Sequence, residues 1–360
     1  MVEEDISKIN AERILVTASL EEPDQVPVSL LVVGDWCAWS YGVNERQAYF
    51  CPDTLLDAML TARRKFHGLV SIKPDFSVVI EPSALGSKIR WPEDTTPWAI
   101  PFIETAEDVD RLEVPDPYRD GLMAASLEVY RYMKRRIQEM GLKINVEMPY
   151  GLRGPFTLGG MLAGLERLIQ WLYRRPETAH LLLRKCTETV VTWGRTQREA
   201  SGSSFPVFLA DDYSGFLSPK LFKEFSLLYI QDVFKPFNHP LNTYHNDAQT
   251  SQLLQLLPET GMKIFHMGSP RTVSLRTAKK EIGDRVCLMG NVDPLKTLTF
   301  GTPEEVERQC REAIEEGAPS GGFILAPGGV VGRGMPAENV KILIEAAEKH
   351  GKYPLSALRT

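Results

Sequence analysis

The chain has no cysteine pair in CxxC spacing, and its five cysteines (Cys37, Cys51, Cys186, Cys287, Cys310) are scattered and odd in number. That argues against a disulfide framework and makes a reducing cytoplasm the expected setting. No apolar run approaches the length of a bilayer span, and the opening MVEEDISKIN is too acidic for a signal peptide, so no membrane partner is expected. No block of Lys or Arg exceeds a few residues, and the net charge is -6 with an isoelectric point of about 5.7, which excludes a nucleic-acid footprint. GxSxG and HExxH are missing, and no cysteine stands beside a histidine, so nucleophilic Ser or Cys catalysis has little support. No internal repeat or long linker interrupts the 360 residues, which are 43% hydrophobic and 24% charged, an ordinary globular mixture.

What is present is an alternation of apolar runs with helical patterns. Eight runs read as strands: 28–33, 76–80, 143–147, 207–210, 241–245, 263–266, 286–289 and 323–326. Several, such as VVIE, VFLA and VCLMG, are continuous rather than alternating, as in parallel strands buried on both faces. Helix signals lie between them. Thr302-Pro303-Glu304-Glu305 is a capping box with proline at the first helical position, opening a helix that stops at Gly317. Ser218-Pro219 opens a second through Phe234, and Pro336 a third that ends near Gly351, with Pro354 beyond. Eight strands with intervening helices predict an α/β fold, a (β/α)8 TIM barrel, with an open doubly wound sheet as the alternative. A single domain over 1–360 is expected, with 1–60 as an N-terminal extension. The proline- and tryptophan-rich stretch 86–125 reads as an excursion over the barrel mouth.

Barrels carry their chemistry at the C-terminal ends of the strands. The second predicted strand ends in Glu81, the third in Glu147, the fourth in Asp211 and Asp212 followed by Tyr213, the fifth in His245 and Asp247, the sixth in His266, and the seventh in Asn291 and Asp293. Asp293 precedes a proline and reads as a helix cap. His266 reads equally as a packed histidine or a site residue, and Glu147 as a partner for Arg153 or another cation. His245 and Asp247, two apart, share one side of an extended strand and are the strongest functional candidates. The other histidines, 67, 180, 239 and 350, read as structural. The loop GGVVGRG (328–334) has too little of a P-loop for phosphate; Gly328 and Gly329 suit close backbone approach to a large ligand. Trp36, Trp39, Tyr41, Trp91 and Trp98 offer aromatic walls for a guest, or else pack the N-terminal segment.

Five blocks, LNTYHNDAQTSQLLQLLPETGMKIFHMG, DRVCLMGNVDPLKTLTFGTPEEVERQCREAIEEG, GGFILAPGGVV, GLRGPFTLGGMLAG and DDYSGFLSPKLFKEF, resemble the uroporphyrinogen decarboxylase superfamily over about residues 60 to 355. The resemblance implies a (β/α)8 barrel with a mouth of tetrapyrrole size. It also offers two chemistries: decarboxylation in haem biosynthesis, or methyl transfer to or from a corrinoid on a partner protein.

The superfamily's decarboxylases grip substrate carboxylates with an Arg-Gln-Ala-Gly-Arg stretch and use an aspartate in Phe-Ser-Asp-Ile. Here those regions read VVGDWCAWSYG and FSVVIEPSALGS, without the paired arginines. Its thiol-directed methyltransferases bind zinc through His-x-Cys and a distant Cys; here Asp247 replaces the first Cys and Gly329 occupies the position of the second. The methyl-ether demethylating branch, with a Glu-x14-Glu-x20-His zinc pattern, is closer: Glu224 and His245 keep the second gap, and the first Glu falls at Leu209, near Asp211 and Asp212. The resemblance therefore implies a corrinoid-dependent methyltransferase, the O-demethylase component. It takes a methyl group from a small methoxylated aromatic donor and passes it to the corrinoid of a partner protein; the leaving oxygen is met either by His245 as an acid, with Asp247 raising its pKa, or by zinc held by Glu224 and His245 with Asp211 or Asp212. The cobalamin would be the partner's, since the carrier motif Asp-x-His-x-x-Gly is missing here. His245, Asp247, Asp211 and Asp212 are the expected catalytic residues. Glu81, Glu147, His266, Asn291, Trp36 and Tyr213 are expected to bind substrate, and Gly328 and Gly329 the corrinoid. A homodimer is compatible with this reading. The alternatives are decarboxylation of a tetrapyrrole and a non-catalytic tetrapyrrole-binding barrel.

Overall fold

A computed structural model describes residues 3–149 and 151–355. Its centre is a six-stranded parallel sheet in sequential order, formed by Gly151–Arg153, Phe208–Ala210, Thr243–Asn246, Ile264–Met267, Cys287–Val292 and Phe323–Pro327. Two short wall segments extend it. At one edge Val28 bridges Leu325 in parallel, with the Leu325 N–H donating to Pro27 O at 3.0 Å and the Ser29 N–H to Leu325 O at 2.9 Å. At the other, Ile72 bridges Val146 in parallel and the Glu147 N–H donates to Ile72 O at 2.8 Å. The seam between these segments is spanned by a side chain: Asp75 Oδ2 accepts the Gly34 N–H at 2.9 Å. The wall is that of a (β/α)8 barrel whose first two strands have thinned to isolated bridges. Prolines 27 and 74 flank those segments and supply no ladder donors.

The second predicted strand is displaced. Residues 76–80 do not pair; Asp75 Oδ1 accepts the Ser77 N–H at 2.7 Å in a local turn, and the helix Ile80–Ala84 begins there. Val79 and Ile80 owe their burial to packing of that helix, and the wall runs instead through Ile72, between Gly68 and Pro74. The third predicted strand shrinks to the bridge at Val146, and pairing resumes beyond Pro149 at Gly151–Arg153. The helix expectations hold: the capping box at Thr302 is complete over Pro303–Gly317, and Ala337–His350 ends at Gly351. The helix opened by Ser218 runs to Phe234 through a π-turn at Lys223–Leu227.

The register sorts the strand residues into rows. Leu152, Leu209, Tyr244, Phe265 and Leu288 align and pack outward against the helices in the large core. Phe208, Thr243, Ile264 and Cys287 form an inner row, and Arg153, Ala210, His245, His266 and Met289 the inner row above it, one layer nearer the C-terminal rim. The lower end is closed by the helix Glu3–Ala18. Its Ile14 and Ala18 pack on Ile264, Cys287 and Ile324, and Asn10 exchanges two hydrogen bonds with the Val28 backbone at 2.8 and 2.9 Å. Within the expected extension 1–60, therefore, residues near Val28 belong to the barrel wall. The excursion 86–125 carries an antiparallel pair, Ile89–Arg90 with Trp98–Ala99, and meets the rim at the loop after the last strand, where Arg333 pairs with Asp94 at 2.9 Å and Glu45 at 3.1 Å.

Candidate active site at the barrel mouth

The strand Thr243–Asn246 alternates as its sequence predicts. Tyr244 and Asn246 point outward: Asn246 Nδ2 donates to Asp211 O at 2.7 Å and Ser214 Oγ lies 2.7 Å from the Tyr244 hydroxyl, which pins the preceding loop. His245 and Asp247 point inward, with His245 Nε2 3.5 Å from Asp247 Oδ1. Asp212 Oδ1 completes the group at 3.6 Å from the same nitrogen and also accepts the Asp247 N–H at 2.9 Å. The imidazole is buried, with 7% of its side chain exposed, while the Asp212 and Asp247 side chains are 34% and 47% exposed. The imidazole thus lies inside the rim and its two counter-charges face the opening.

Electrostatics follow from this placement. Burial works against the imidazolium, but the Asp247 hydrogen bond and the charges of Asp212 and Asp247 outweigh it and raise the His245 pKa above its ordinary value. For Asp247, burial would raise the carboxyl, yet the hydrogen bond and charge of His245 win and hold it low. His266 lies beside it on the next strand, its ring stacked on His245 with centroids 4.6 Å apart and its Nε2 3.0 Å from Pro327 O. Burial and the neighbouring His245 charge push His266 down to about 3, so it is a neutral ring that donates from Nε2 to the carbonyl.

The other sequence candidates separate. Asp211 points outward and is fully buried; its Oδ1 accepts the Thr157 N–H at 2.7 Å and its Oδ2 the Ser226 hydroxyl at 3.3 Å. Burial raises it to about 6 against those hydrogen bonds. Its carboxylate ties two helices to the strand end and is turned away from the His245 imidazole, a correction to its expected place beside it. A Cβ at Gly154 would collide with the Asp211 side chain, which explains that glycine. Glu224 is also corrected as a zinc ligand. It lies on the exposed face of the π-turn, and among the described residues the group able to hold a metal is Asp212, His245 and Asp247, with donor atoms within 4.8 Å of one another.

Trp36 is fully buried against Phe66, ring centroids 5.2 Å apart, with its indole N–H on Met335 O at 2.9 Å; it packs the N-terminal segment and offers no wall to a guest. Tyr213 is half-buried, with its N–H on Thr157 Oγ1 at 3.0 Å and its ring against Gly160. Asn291 is buried with its amide on Val273 O at 3.1 Å, and Asp293 is the cap its proline suggested, accepting from Leu295 N and Lys296 N at 3.0 and 2.8 Å. Glu81 is buried in the helix Ile80–Ala84 and accepts the Arg153 backbone N–H at 2.9 Å. Glu147, raised by burial, has Lys73 rather than Arg153 as its opposing charge. Gly328 approaches the Ser269 backbone too closely for any side chain, and Gly329, at φ 141°, lies over the Asp247 carboxylate.

Sequence reasoning passed over the acidic group at the first two wall ends. Asp35 is pushed up to about 7 by burial and by the charges of Asp75 and Glu45. Glu45 is buried, with Oε1 on Arg333 and Oε2 without a partner. Asp35 and Asp75 each follow a wall segment directly, but those segments are too short to read as full strands.

A closed parallel wall with a buried imidazole between two carboxylates at its C-terminal rim defines an α/β barrel with a polar centre at the mouth. Residues 10–350 match the family model described as uroporphyrinogen decarboxylase (URO-D), and the chain belongs to that family. It is 27% identical over 309 residues to a methylated-thiol–coenzyme M methyltransferase of Methanosarcina mazei, covering 84% of this chain and 78% of that protein. It is likewise 27% identical over 385 residues to a uroporphyrinogen decarboxylase of Danio rerio, covering 98% and 96%. A solved structure described as a methyltransferase from Methanosarcina mazei superposes with a TM-score of 0.80 at 22% identity, covering 94% of this chain and 97% of that one. Among the described residues no helix is long and apolar enough to cross a membrane.

Proposed function

We propose that the chain is a methyltransferase of the corrinoid-dependent branch, removing the methyl group of a small methoxylated aromatic donor and delivering it to the reduced corrinoid of a partner protein. The observation that carries this reading is His245 held between Asp212 and Asp247 at the mouth, with Nε2 3.6 and 3.5 Å from their oxygens. When the methyl carbon leaves an ether, the electron pair of the broken C–O bond stays on oxygen. A phenolate is a poor leaving group unless that charge is met as it develops. The raised proton affinity of His245 keeps an acidic proton available there, and the two carboxylates stabilise the imidazolium before transfer. Asp212, His245 and Asp247 also fit a divalent cation such as zinc: one imidazole and two carboxylates, with no sulfur, form a hard donor set. A bound ion would supply Lewis-acid polarisation of the same oxygen. In both cases the residues serve one end, a positive charge held beside the leaving oxygen.

Similarity to a methyltransferase supports this reading, and similarity to decarboxylases supports the alternative. The mouth weighs against the latter. A polycarboxylate tetrapyrrole needs several cationic partners, whereas the rim presents Asp35, Asp75, Asp212 and Asp247, Arg333 is already paired with Glu45 and Asp94, and Arg153 alone could not meet so many carboxylates. The five cysteines are free thiols, in keeping with work in a reducing cytoplasm.

The test is turnover. Protein mixed with a methoxybenzoate and either a reduced corrinoid protein or cob(I)alamin should form methylcobalt, read by absorbance, and release the phenol. His245→Gln should lower the rate on the order of a hundred-fold. Decarboxylation of uroporphyrinogen with no methyl donor consumed would overturn the proposal.

A further inference from the structure

The upper inner row begins with a residue that the site above leaves unused. Arg153, Ala210, His245 and His266 stand in direct register on four adjacent strands. Residues in register on parallel strands face the same side. The row runs on into Met289 and Ile324, which are buried in the barrel's inner cluster. Arg153 therefore projects inward from the same layer as His245, two strand spacings away, about 10 Å between backbones. Between them the wall contributes only the methyl group of Ala210.

Among the described residues the Arg153 guanidinium has no ion pair and no hydrogen-bond acceptor; outside the sheet, its residue is tied through its backbone N–H to Glu81 Oε1 at 2.9 Å. The guanidinium is half-buried, and its charge is felt at both Glu81 and His245. Glu81 compensates it weakly, because burial draws that carboxyl toward its neutral form. Two arginines near the strand ends are engaged: Arg333 holds Glu45 and Asp94, and Arg271 holds Asp293 at 2.9 Å. A planar guanidinium presents donors in a fixed fork that matches a carboxylate.

We infer that Arg153 is a specificity-determining residue that docks a carboxylate of the methyl donor, so that the donor is an anion, with its carboxylate at Arg153 and its methoxy group at His245. The inference rests on the proposed methyl transfer for the identity of the reacting group, and on the row geometry alone for the anion. One aromatic ring fits the separation: the acid group and the methoxy group stand on opposite sides of the ring, spanning the gap above Ala210. A donor with its methoxy group ortho to the carboxylate cannot reach both side chains at once.

The test is binding as well as turnover. Calorimetry on wild type should show 4-methoxybenzoate binding at least ten-fold more tightly than neutral 4-methoxybenzyl alcohol, and more tightly than 2-methoxybenzoate. Arg153→Gln should erase the preference for the anion and leave binding of the alcohol unchanged, and Arg153→Lys should keep part of it. Unchanged alcohol binding also reports an intact fold; if the Gln variant does not fold, the Lys variant carries the comparison. In turnover, Arg153→Gln should raise KM for the benzoate while kcat is retained. Equal binding of anion and alcohol to wild type, or equal loss of both in Arg153→Gln, overturns the inference. An Arg153-dependent preference for the anion without methyl release leaves the anion site standing and removes the methyl-transfer reading. Methyl release from the neutral donor, unaffected by Arg153→Gln, does the reverse.

Discussion

Asp247→Asn removes one of the two negative charges beside His245 and leaves the shape of the site nearly unchanged. The separations are 3.5 Å to Asp247 and 3.6 Å to Asp212. A unit-charge pair at such a distance is worth about 1 kcal/mol in bulk water and about 5 kcal/mol at an effective dielectric near 20. The two acid side chains are 47% and 34% exposed, so screening sets each contribution toward the lower figure. In metal-free protein, wild-type His245 should titrate above its ordinary value of 6.5, and Asp247→Asn should lower the midpoint. Asp212→Asn with Asp247→Asn should take it below 6.5, because only burial and the Arg153 charge then act on it.

The sign carries into stability. A raised imidazole pKa contributes stability below 6.5 that is lost as pH rises through the folded value. A lowered Asp247 pKa contributes stability above 3.8 that is lost as pH falls through its folded value. The gap in melting temperature between wild type and Asp247→Asn should therefore be widest between about pH 4 and pH 6.5 and close on the alkaline side. Nitrogen-resolved NMR titration of the His245 ring and melting curves against pH are the assays. A wild-type midpoint below 6.5, or one that Asp247→Asn leaves in place, refutes the reasoning.

Asp211→Ala should destabilise the fold by about 1–3 kcal/mol in denaturant titration, because it leaves the Thr157 N–H buried without its acceptor, while methyl transfer per folded molecule is retained. Elemental analysis should find zinc retained in Glu224→Gln and reduced in Asp212→Asn or Asp247→Asn; loss on changing Glu224 instead would return the ligand set to the spacing-based one. Asp35, whose carboxyl is raised from 3.8 to about 7, should make wild type lose stability as pH climbs through that interval, since the folded state holds the proton longer. Asp35→Asn should therefore melt above wild type at pH 8, and a lower melting point there would show that its charged form is stabilising.

The fold was legible where segments were long and punctuated. The last four strands and the capped helix Pro303–Gly317 fall where continuous apolar runs and Thr302-Pro303 place them. It was illegible where the wall is thin. A single bridge at Ile72 needs only one residue of strand conformation, and VVIE six residues later has the better apolar run. Apolar continuity measures burial, and a short helix packed against a barrel buries as much as a strand does. Pro149 likewise divides a wall segment: the half at Val146 lies within the expected run 143–147, while the three residues Gly151–Arg153 beyond the proline are too short to register alone.

The site divides along a similar line. His245 and Asp247 could be paired from sequence because period two needs no knowledge of any other strand. Choosing between Asp211 and Asp212 needs the same period plus one fact that sequence does not carry, the parity of the neighbouring strand. Ala210 aligns with His245 and so faces inward; one residue on, Asp211 faces the helices, and two residues on, Asp212 faces the imidazole. Arg153 belongs to the same parity argument, since it aligns with Ala210 across the next strand. Spacing along the chain, as between Glu224 and His245, holds no information about parity, and so it brought forward an exposed glutamate while the inward aspartate and arginine stood on strands already in view. In a parallel barrel the chemistry is shared by residues that are neighbours across strands. Register, set by packing between distant segments, decides which of two adjacent acids can take part in it.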